Sequence, residues 1–595
     1  TVRGVNGLHR STWNTRWINP VTGITAGNEG TGSLRIEDGG LVSSFSGRVG
    51  LGETGLGSIA VEGVVDGFRS TWQNDSQLLI GIEGTASLSI ADGGLVTSGS
   101  GVIGLETSGV GAVAISGVNG SFRSSWQSGS LIVGDKGMGT LSIAQGGLVQ
   151  STVATVGNRD GSTGFVVVHG STDGMASSWE ILQELYVGSR GEGSLSIEAG
   201  GRGNNLTSYI GYDYGSNGSV TGTGSDSHFS VASDLNVGTT LGSNGEVFIK
   251  DGGRVSSHRG IIGHLSGSTG MVTVTGSQST WLNSADLEVG FFGTGELTIE
   301  NGGVVSNRNG FIAKNNESNG AVTVTGVGSQ WNNSGFLTLG GAYPHAPGSA
   351  FASGELTVGD GGFVGVGSNI FDGDVLTVNF GSTVNLQTGG TISTPRFDLH
   401  GSLVLNGALF APSFWTALGT SVTGTGTVNG AVFNSGTFAP GSSPGKLTID
   451  GDYTQSADGK LQIEITGLTA GIQYDQLIVT GTANIEGSLL LHFLEGFAPS
   501  QGDTFDILLA DQLIVSDQAQ VQMFNLRPGF EYDLSFVDGA YRLTALNNAS
   551  YVPEPSSAIL LLLCLGNLIT RRSGTARDKP DSRGKVCERS LQRES

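Results

Sequence analysis

Through the first two thirds of the chain, apolar and small polar residues alternate in short runs that end in glycine. In LIVGDKGMGTLSIAQGGLVQSTVATVGNRDGSTGFVVVHGSTDGMASSW (residues 131–179), Leu141 and Ile143 fall on one face and Thr140 and Ser142 on the other. That is the period of half-buried β-strands. The skeleton of this stretch is LxVG, GxLxIxxGGxV, VG, GxVxV and a closing SxW. It recurs with its Gly-Gly pair beginning at Gly39, Gly93, Gly146, Gly200, Gly252, Gly302 and Gly361, a period of about 50 to 54 residues. Each unit predicts four short strands. The unit also halves, because GxLxI from Gly139 to Ile143 and GxVxV from Gly164 to Val168 hold equivalent places about 25 residues apart. One half therefore predicts a single coil of a β-solenoid. A lone coil cannot bury its apolar face, so coils stack at about 4.8 Å and bury one another's Leu, Ile and Val columns. Helix is disfavoured, since glycine alone costs roughly 1 kcal/mol at an interior helical position.

The predicted fold class is all-β: a long parallel β-helix with a C-terminal β-sandwich-like or capping domain and a short C-terminal hydrophobic helix. Residues 1–373 form the repeats, about seven units with the first truncated, because VRGVNGLHRSTW at 2–13 matches the end of a unit (VEGVVDGFRSTW at 61–72). The chain starts inside a repeat, without an initiator Met or signal peptide, so further sequence is expected before it. Residues 374–445 keep short β runs but lose the closing tryptophan, as in a degenerate continuation. Residues 446–546 carry longer alternating strands and form the C-terminal β domain. A linker follows at 547–557, then an apolar segment at 558–570 and a basic tail at 571–595.

Composition narrows the class. With 103 glycines, 37% hydrophobic and 13% charged residues, the chain is too apolar for disorder and too poor in charge for helical bundles. The net charge of −22 hides a split: the last 25 residues hold 8 Lys/Arg against 4 Asp/Glu, leaving −26 for the rest. An acidic body argues against a nucleic-acid partner, because such binding rests on Lys and Arg neutralising phosphates. The only cysteines are Cys564 and Cys587, which make neither a disulfide framework nor a CxxC metal pair.

The closing aromatic recurs at Trp72, Trp126, Trp179, Trp281 and Trp331 after Trp13, with Phe229 in the remaining place. Such a row suits either packing at a coil corner or stacking on sugar rings. Replacement by Phe229 favours packing. The residues before the Gly-Gly pairs are Asp38, Asp92, Gln145, Ala199, Asp251, Asn301 and Asp360, which suit tight turns with positive φ; Gln145 and Ala199 could not serve a calcium site. Gly441 to Gly445 fits GxSxG, but Pro444 lacks the N–H an oxyanion hole needs, so a turn is expected. Asp213, Asp226 and Asp234 lie near His228 in the atypical fourth unit, the best remaining place for a ligand or metal. No convergent acid, base and cation set is found; no catalytic residue, metal or cofactor is assigned, and the chain is expected not to be an enzyme.

Two resemblances follow from particular stretches. GTFAPGSSPGKLTIDGDYTQSADGKLQIEITG with YDQLIVTGTANIEGSLLL resembles the C-terminal β region of autotransporter-like bacterial surface proteins, and the units before it resemble their glycine-rich β-strand repeats. Val552, Pro553, Glu554 and Pro555, an apolar run, then Arg571 and Arg572 resemble the PEP-CTERM sorting signal. That resemblance implies an exosortase-like membrane protease as processing partner, with transient association with the inner membrane as precursor. About 12 apolar residues fall short of the roughly 20 of a stable span, and the arginines hold the end at the cytoplasmic face. The family usually stops soon after its arginines, whereas this chain continues for 23 residues.

The expected function is that of a secreted or cell-surface structural or adhesive protein of the envelope or exopolysaccharide matrix. The competing reading is a polysaccharide-active lyase or hydrolase, or a carbohydrate-binding β-helix. Outer faces of Ser, Thr and Gly favour the scaffold; carboxylates gathered with Arg or Lys in one groove favour the competitor.

If Pro553 to Pro555 is a sorting site, material from the native host ends near it, and replacing the three residues by alanines leaves the precursor in the inner membrane. Mass spectrometry checks this: a surface form retaining Ser595 contradicts it.

Overall fold

The computed structural model describes residues 1–6, 9–15, 23–341, 352–367, 373–441 and 444–552. Among them no helix occurs and almost every strand pairs in parallel. One side of the rod is a 21-stranded sheet with one strand from each coil; a 37-stranded sheet folds over the other two sides. The half-unit is a coil, because Leu141 pairs with Val166 and Ile143 with Val168. Most coils of the repeats carry three strands rather than two, so such a unit holds six and not the four read from the sequence. The second and third sides meet at a shallow corner, and in Leu95–Ile103, Ser125–Val133 and Leu148–Val156 one nine-residue strand crosses it. Glycine stands at that corner only in some coils, as at Gly99, Gly129 and Gly335, so it left no regular punctuation in the sequence.

The Gly-Gly turns form the corner between the first and second sides. All seven residues before the pair have φ between 48° and 53°, and the first glycine has φ between 79° and 89°. This is the two-residue left-handed turn that Asp-Gly and Asn-Gly favour. The second glycine is required for a different reason. A Cβ there would fall 2.1–2.6 Å from a carbonyl oxygen of the preceding coil at all seven positions, from Gly40 to Gly362. The serine of SxW completes the corner from the following coil. Ser70, Ser124, Ser177, Ser227, Ser279 and Ser329 are fully buried, and each hydroxyl oxygen accepts the N–H of the first glycine at 3.0 Å. Where the repeat decays, backbone replaces side chain: Gly361 N–H donates to Gly389 O at 3.0 Å.

Inside the second side, large and small residues alternate by coil. Val42, Trp72, Val96, Trp126, Val149, Trp179, Gly203, Phe229, Val255, Trp281, Val305, Trp331 and Val364 form one paired column. On the third side glycine makes room for the ring: a Cβ at Gly47, Gly101, Gly260 or Gly310 would lie 2.5–3.0 Å from an indole. Close packing thus takes two coils to repeat, which is why the sequence period is twice the coil.

The first four units carry antiparallel hairpins at the Gly-Gly corner, such as Val64–Val65 with Phe68–Arg69. Arg69, half-buried beneath its hairpin, donates to Gly93 O at 2.7 Å, Gly94 O at 2.9 Å and Arg123 O at 2.5 Å. Arg123 repeats the clamp on Gly146 O, Gly147 O and Ala176 O. Burial opposes the charge, so each guanidinium has its pKa lowered.

Parallel stacking continues through 374–445 in shorter coils and on through 446–524; no separate sandwich forms. The stack ends in a cap, where Tyr532–Val537 and Ala540–Ala545 pair antiparallel and the latter pairs antiparallel with Thr504–Leu509. Among the described residues no helix is long and apolar enough to cross a membrane. The expected helix at 558–570 lies outside them.

Because each coil contacts only its neighbours, deleting residues 127–179 joins Trp126 to Glu180 in phase and leaves a shorter folded rod. Deleting 127–178 shifts the register by one and turns apolar residues outward. Circular dichroism and cooperative melting check this: the first variant retains β signal and a sharp transition, and the second loses both.

Candidate functional site

The tryptophans are not available to a ligand. Trp72, Trp126, Trp179, Trp281 and Trp331 are 0–1% exposed, and Phe229 likewise. Four indole N–H groups donate inward, to Ser44, Ser98, Ser257 and Asn307. Of the row of closing aromatics only Trp13, which pairs with Val42 alone, is exposed, at 41%.

The fourth-unit cluster does not converge. Asp213 lies on the corner after the third side, Asp226 has φ 67° in the turn before the second, His228 faces Ser256 on the second, and Asp234 opens a third-side strand. Among the described residues no three metal-ligating side chains gather. At GxSxG, Ser442 and Ser443 lie outside the described residues, and Lys446–Asp450 is a strand. Gly445 N–H donates to buried Asp475 at 2.7 Å, and Glu464 N–H to its other oxygen at 2.9 Å. Burial pushes the Asp475 carboxyl up to about 7 against these two bonds. Val552 is pinned, its N–H donating to Asn525 O at 2.8 Å. Pro553, Glu554, Pro555, Arg571 and Arg572 lie outside the described residues.

Outward-facing chemistry gathers instead along the corner after the third side. On the first side, the outer positions of successive coils are Ser87 and Ser89, Ala112 and Ala114, Thr140 and Ser142. On that third corner, consecutive coils carry Lys136 with Glu106 at 2.8 Å, Arg159 with Asp135 at 3.1 Å and Arg190 with Asp213 at 2.7 Å. Beside them Tyr186 and Tyr209 stack at 5.1 Å and 11°, and Tyr212 meets both edge-on at 4.9 and 5.2 Å. Burial, with the neighbouring phenols, pushes Tyr186 up to about 12, so its ring is neutral. A groove of about 610 Å³ runs between Lys136, Arg159, Arg190, Tyr212 and Asp213.

Sequence reasoning reached Asp213 but missed the tyrosines. The signal was present, since the only tyrosines in residues 1–341 are Tyr186, Tyr209, Tyr212 and Tyr214.

Further along the same flank a second cluster is closed. Glu288 is 1% exposed although its strand position faces outward, because Lys314 pairs with it and Arg259 stands 3.6 Å away. Lys314 lies 4.0 Å from the Phe311 ring centre and 5.5 Å from that of Phe291. Burial, with the Arg259 charge, lowers the pKa of adjacent His264. The cations here are capped by rings and consumed by Glu288, which makes this cluster a buttress. A larger groove, about 960 Å³, lies on the second side among Asn309, Asn332, Arg308, Phe336 and Asp374.

No family model matches the chain. Over 136 residues it is 31% identical to the uncharacterized lipoprotein YdeK of Escherichia coli (strain K12), covering 22% of this chain and 10% of that protein. The chain thus spans about a tenth of the length of the curated relative it matches. Among solved structures, the TibC-catalysed hyper-glycosylated TibA fragment aligns with 67% of this chain and 98% of its own at 15% identity and a TM-score of 0.23. The Haemophilus influenzae Hap adhesin aligns with 86% of this chain and 64% of its own at 12% identity and a TM-score of 0.23. The parallel β-solenoid assignment rests on the strand pairing of this chain itself.

Asp475 gives a pH dependence. Between the ordinary carboxylate range and about 7 the folded state holds a proton that the unfolded chain releases, so this contribution is full at low pH and lost as pH rises through about 7. The C-terminal coils therefore melt higher at pH 5 than at pH 8, and Asp475→Asn removes most of the difference. Thermal melts of both proteins at the two pH values check this.

Proposed function

We propose that the chain is a non-catalytic, surface-attached or secreted rod with an adhesive or structural role in the envelope or exopolysaccharide matrix. The observation that carries this reading is the division of roles between inner and outer positions. Every described coil spends its inward residues on one continuous core, and its acids stand at turns, at outward strand positions or in pairs with neighbouring cations, with no three metal-ligating side chains gathered among the described residues. That arrangement displays a long, repetitive surface and fits polyvalent contact better than acid–base chemistry, which needs several groups aimed at one atom. The lipoprotein name of the matched relative supports a location outside the cytoplasm. The PEP-CTERM-like tail supports the same location, with the inner membrane as an intermediate and an exosortase-like protease as partner.

A membrane-impermeant biotinylation reagent applied to intact cells of the native host tests the reading. The rod is expected to be labelled as fully as a known surface protein, and purified residues 1–545 to release no product from pectin or alginate. Labelling only after lysis contradicts the location. Product release abolished by replacing one Asp contradicts the non-catalytic role.

A further inference from the structure

Three surface features compete for a specific role: the closed cluster around Glu288, the groove near Arg308, and the open groove beside the tyrosines. The first has no free capacity, since its carboxylate is buried and its cations are covered by phenylalanine rings. The second borders residues that are not described. The third is open, and its composition is not explained by stability.

The cations of its ion pairs are exposed, with 59% of the Arg159 side chain and 61% of the Arg190 side chain accessible, although Asp135 itself is buried. The two pairs whose partners both reach solvent, Lys136 with Glu106 and Arg190 with Asp213, contribute about 0–1 kcal/mol each and do little for a rod already held by its core. The tyrosines face outward as well, at positions where neighbouring coils carry Thr155 and Asn236. Together they give an aromatic edge beside a row of alternating donors and acceptors. Guanidinium and carboxylate side by side suit vicinal hydroxyls, each of which both donates and accepts. Groups from five successive coils line the groove, from Thr107 to Asp213. At the strand spacing this is on the order of 20 Å along the rod, enough for several pyranose rings. The charge balance selects among glycans: Lys136, Arg159 and Arg190 of the lining are already paired with Glu106, Asp135 and Asp213, and Asp160 adds a further negative charge in a chain of net charge −22. A polyanionic strand would meet excess negative charge.

We infer that the groove bordered by Tyr212, Arg190, Asp213, Arg159 and Lys136 binds an uncharged polysaccharide strand lying along the rod axis. Sugar rings pack against Tyr212, which Tyr186 and Tyr209 hold in place, while the ion pairs read the hydroxyls. This rests on the surface-rod reading and adds to it the carbohydrate binding that the competing reading expected of a groove where carboxylates gather with Arg and Lys.

The full chain is titrated by calorimetry with cellohexaose, laminarihexaose, xylohexaose, maltohexaose and mannohexaose, and with hexagalacturonate. At least one uncharged hexaose is expected to bind with Kd of about 1 mM or tighter, and hexagalacturonate at least about tenfold more weakly. Tyr212→Ala and Arg190→Ala are each expected to weaken binding about tenfold, and Tyr212→Phe by no more than about threefold. Arg190 is exposed, so its variant carries the test should Tyr212→Ala lower the melting temperature. Binding of none of the uncharged hexaoses, preference for hexagalacturonate, or unchanged affinity in both alanine variants overturns the inference. A chain labelled on intact cells that binds no hexaose sinks the groove alone; binding by a chain that is never labelled sinks the surface reading alone.

Discussion

Everything in this rod depends on how closely one coil can approach the next, and the hydrogen bond from each Gly-Gly turn to the serine of the following coil fixes that approach. The turn leaves its first N–H pointing into the stack. Left without an acceptor when buried, that group would cost about 1–3 kcal/mol, and the serine hydroxyl removes the cost at six corners. The second glycine admits the carbonyl of the coil before. One corner thus touches the coils on both sides, and a residue larger than glycine at that point would push the sheets out of hydrogen-bonding distance.

Once the corner is fixed, the interior has little freedom. Indoles on alternate coils need valine or glycine above and below them and glycine across the corner, so the core repeats every two coils. The outside is under no such constraint. Outer positions on the first side stay small over the four coils from Ser58 to Ser142 and carry Arg35 and Phe165 on either side of them, while the third corner collects tyrosines and ion pairs over a short span. A scaffold that folds from its inner positions alone can change its outer chemistry one coil at a time, and a binding strip can be built without disturbing the core.

Much of the fold was legible because its causes are local. Asp38, Asp92 and Asn301 before Gly-Gly announce left-handed turns, and Gln145 and Ala199 adopt the same φ because the corner demands it. The half-unit was readable from the recurrence of GxLxI as GxVxV. What was not legible depends on residues far apart in sequence. The third strand of each coil has no regular glycine at its start, and the carbonyls that Arg69 clamps lie up to 54 residues away. The long strands of 446–546 suggested a sandwich or a cap, and the cap forms only at the end, because alternation cannot tell a parallel coil from an antiparallel sheet. The candidate groove illustrates the same limit. Tyr186 and Tyr209 are 23 residues apart, Glu106 and Lys136 are 30, and coil length varies enough that no fixed spacing joins them.

The most direct test of the account is hydrogen exchange at one corner. In the native rod the Gly93 amide is protected by Ser124 Oγ and the Gly146 amide by Ser177 Oγ. In Ser124→Ala, peptide-resolved exchange should show protection lost around Gly93 and kept around Gly146. Fast exchange at Gly93 in the unaltered protein, or undiminished protection there in the variant, would contradict the claim that this bond holds neighbouring coils together.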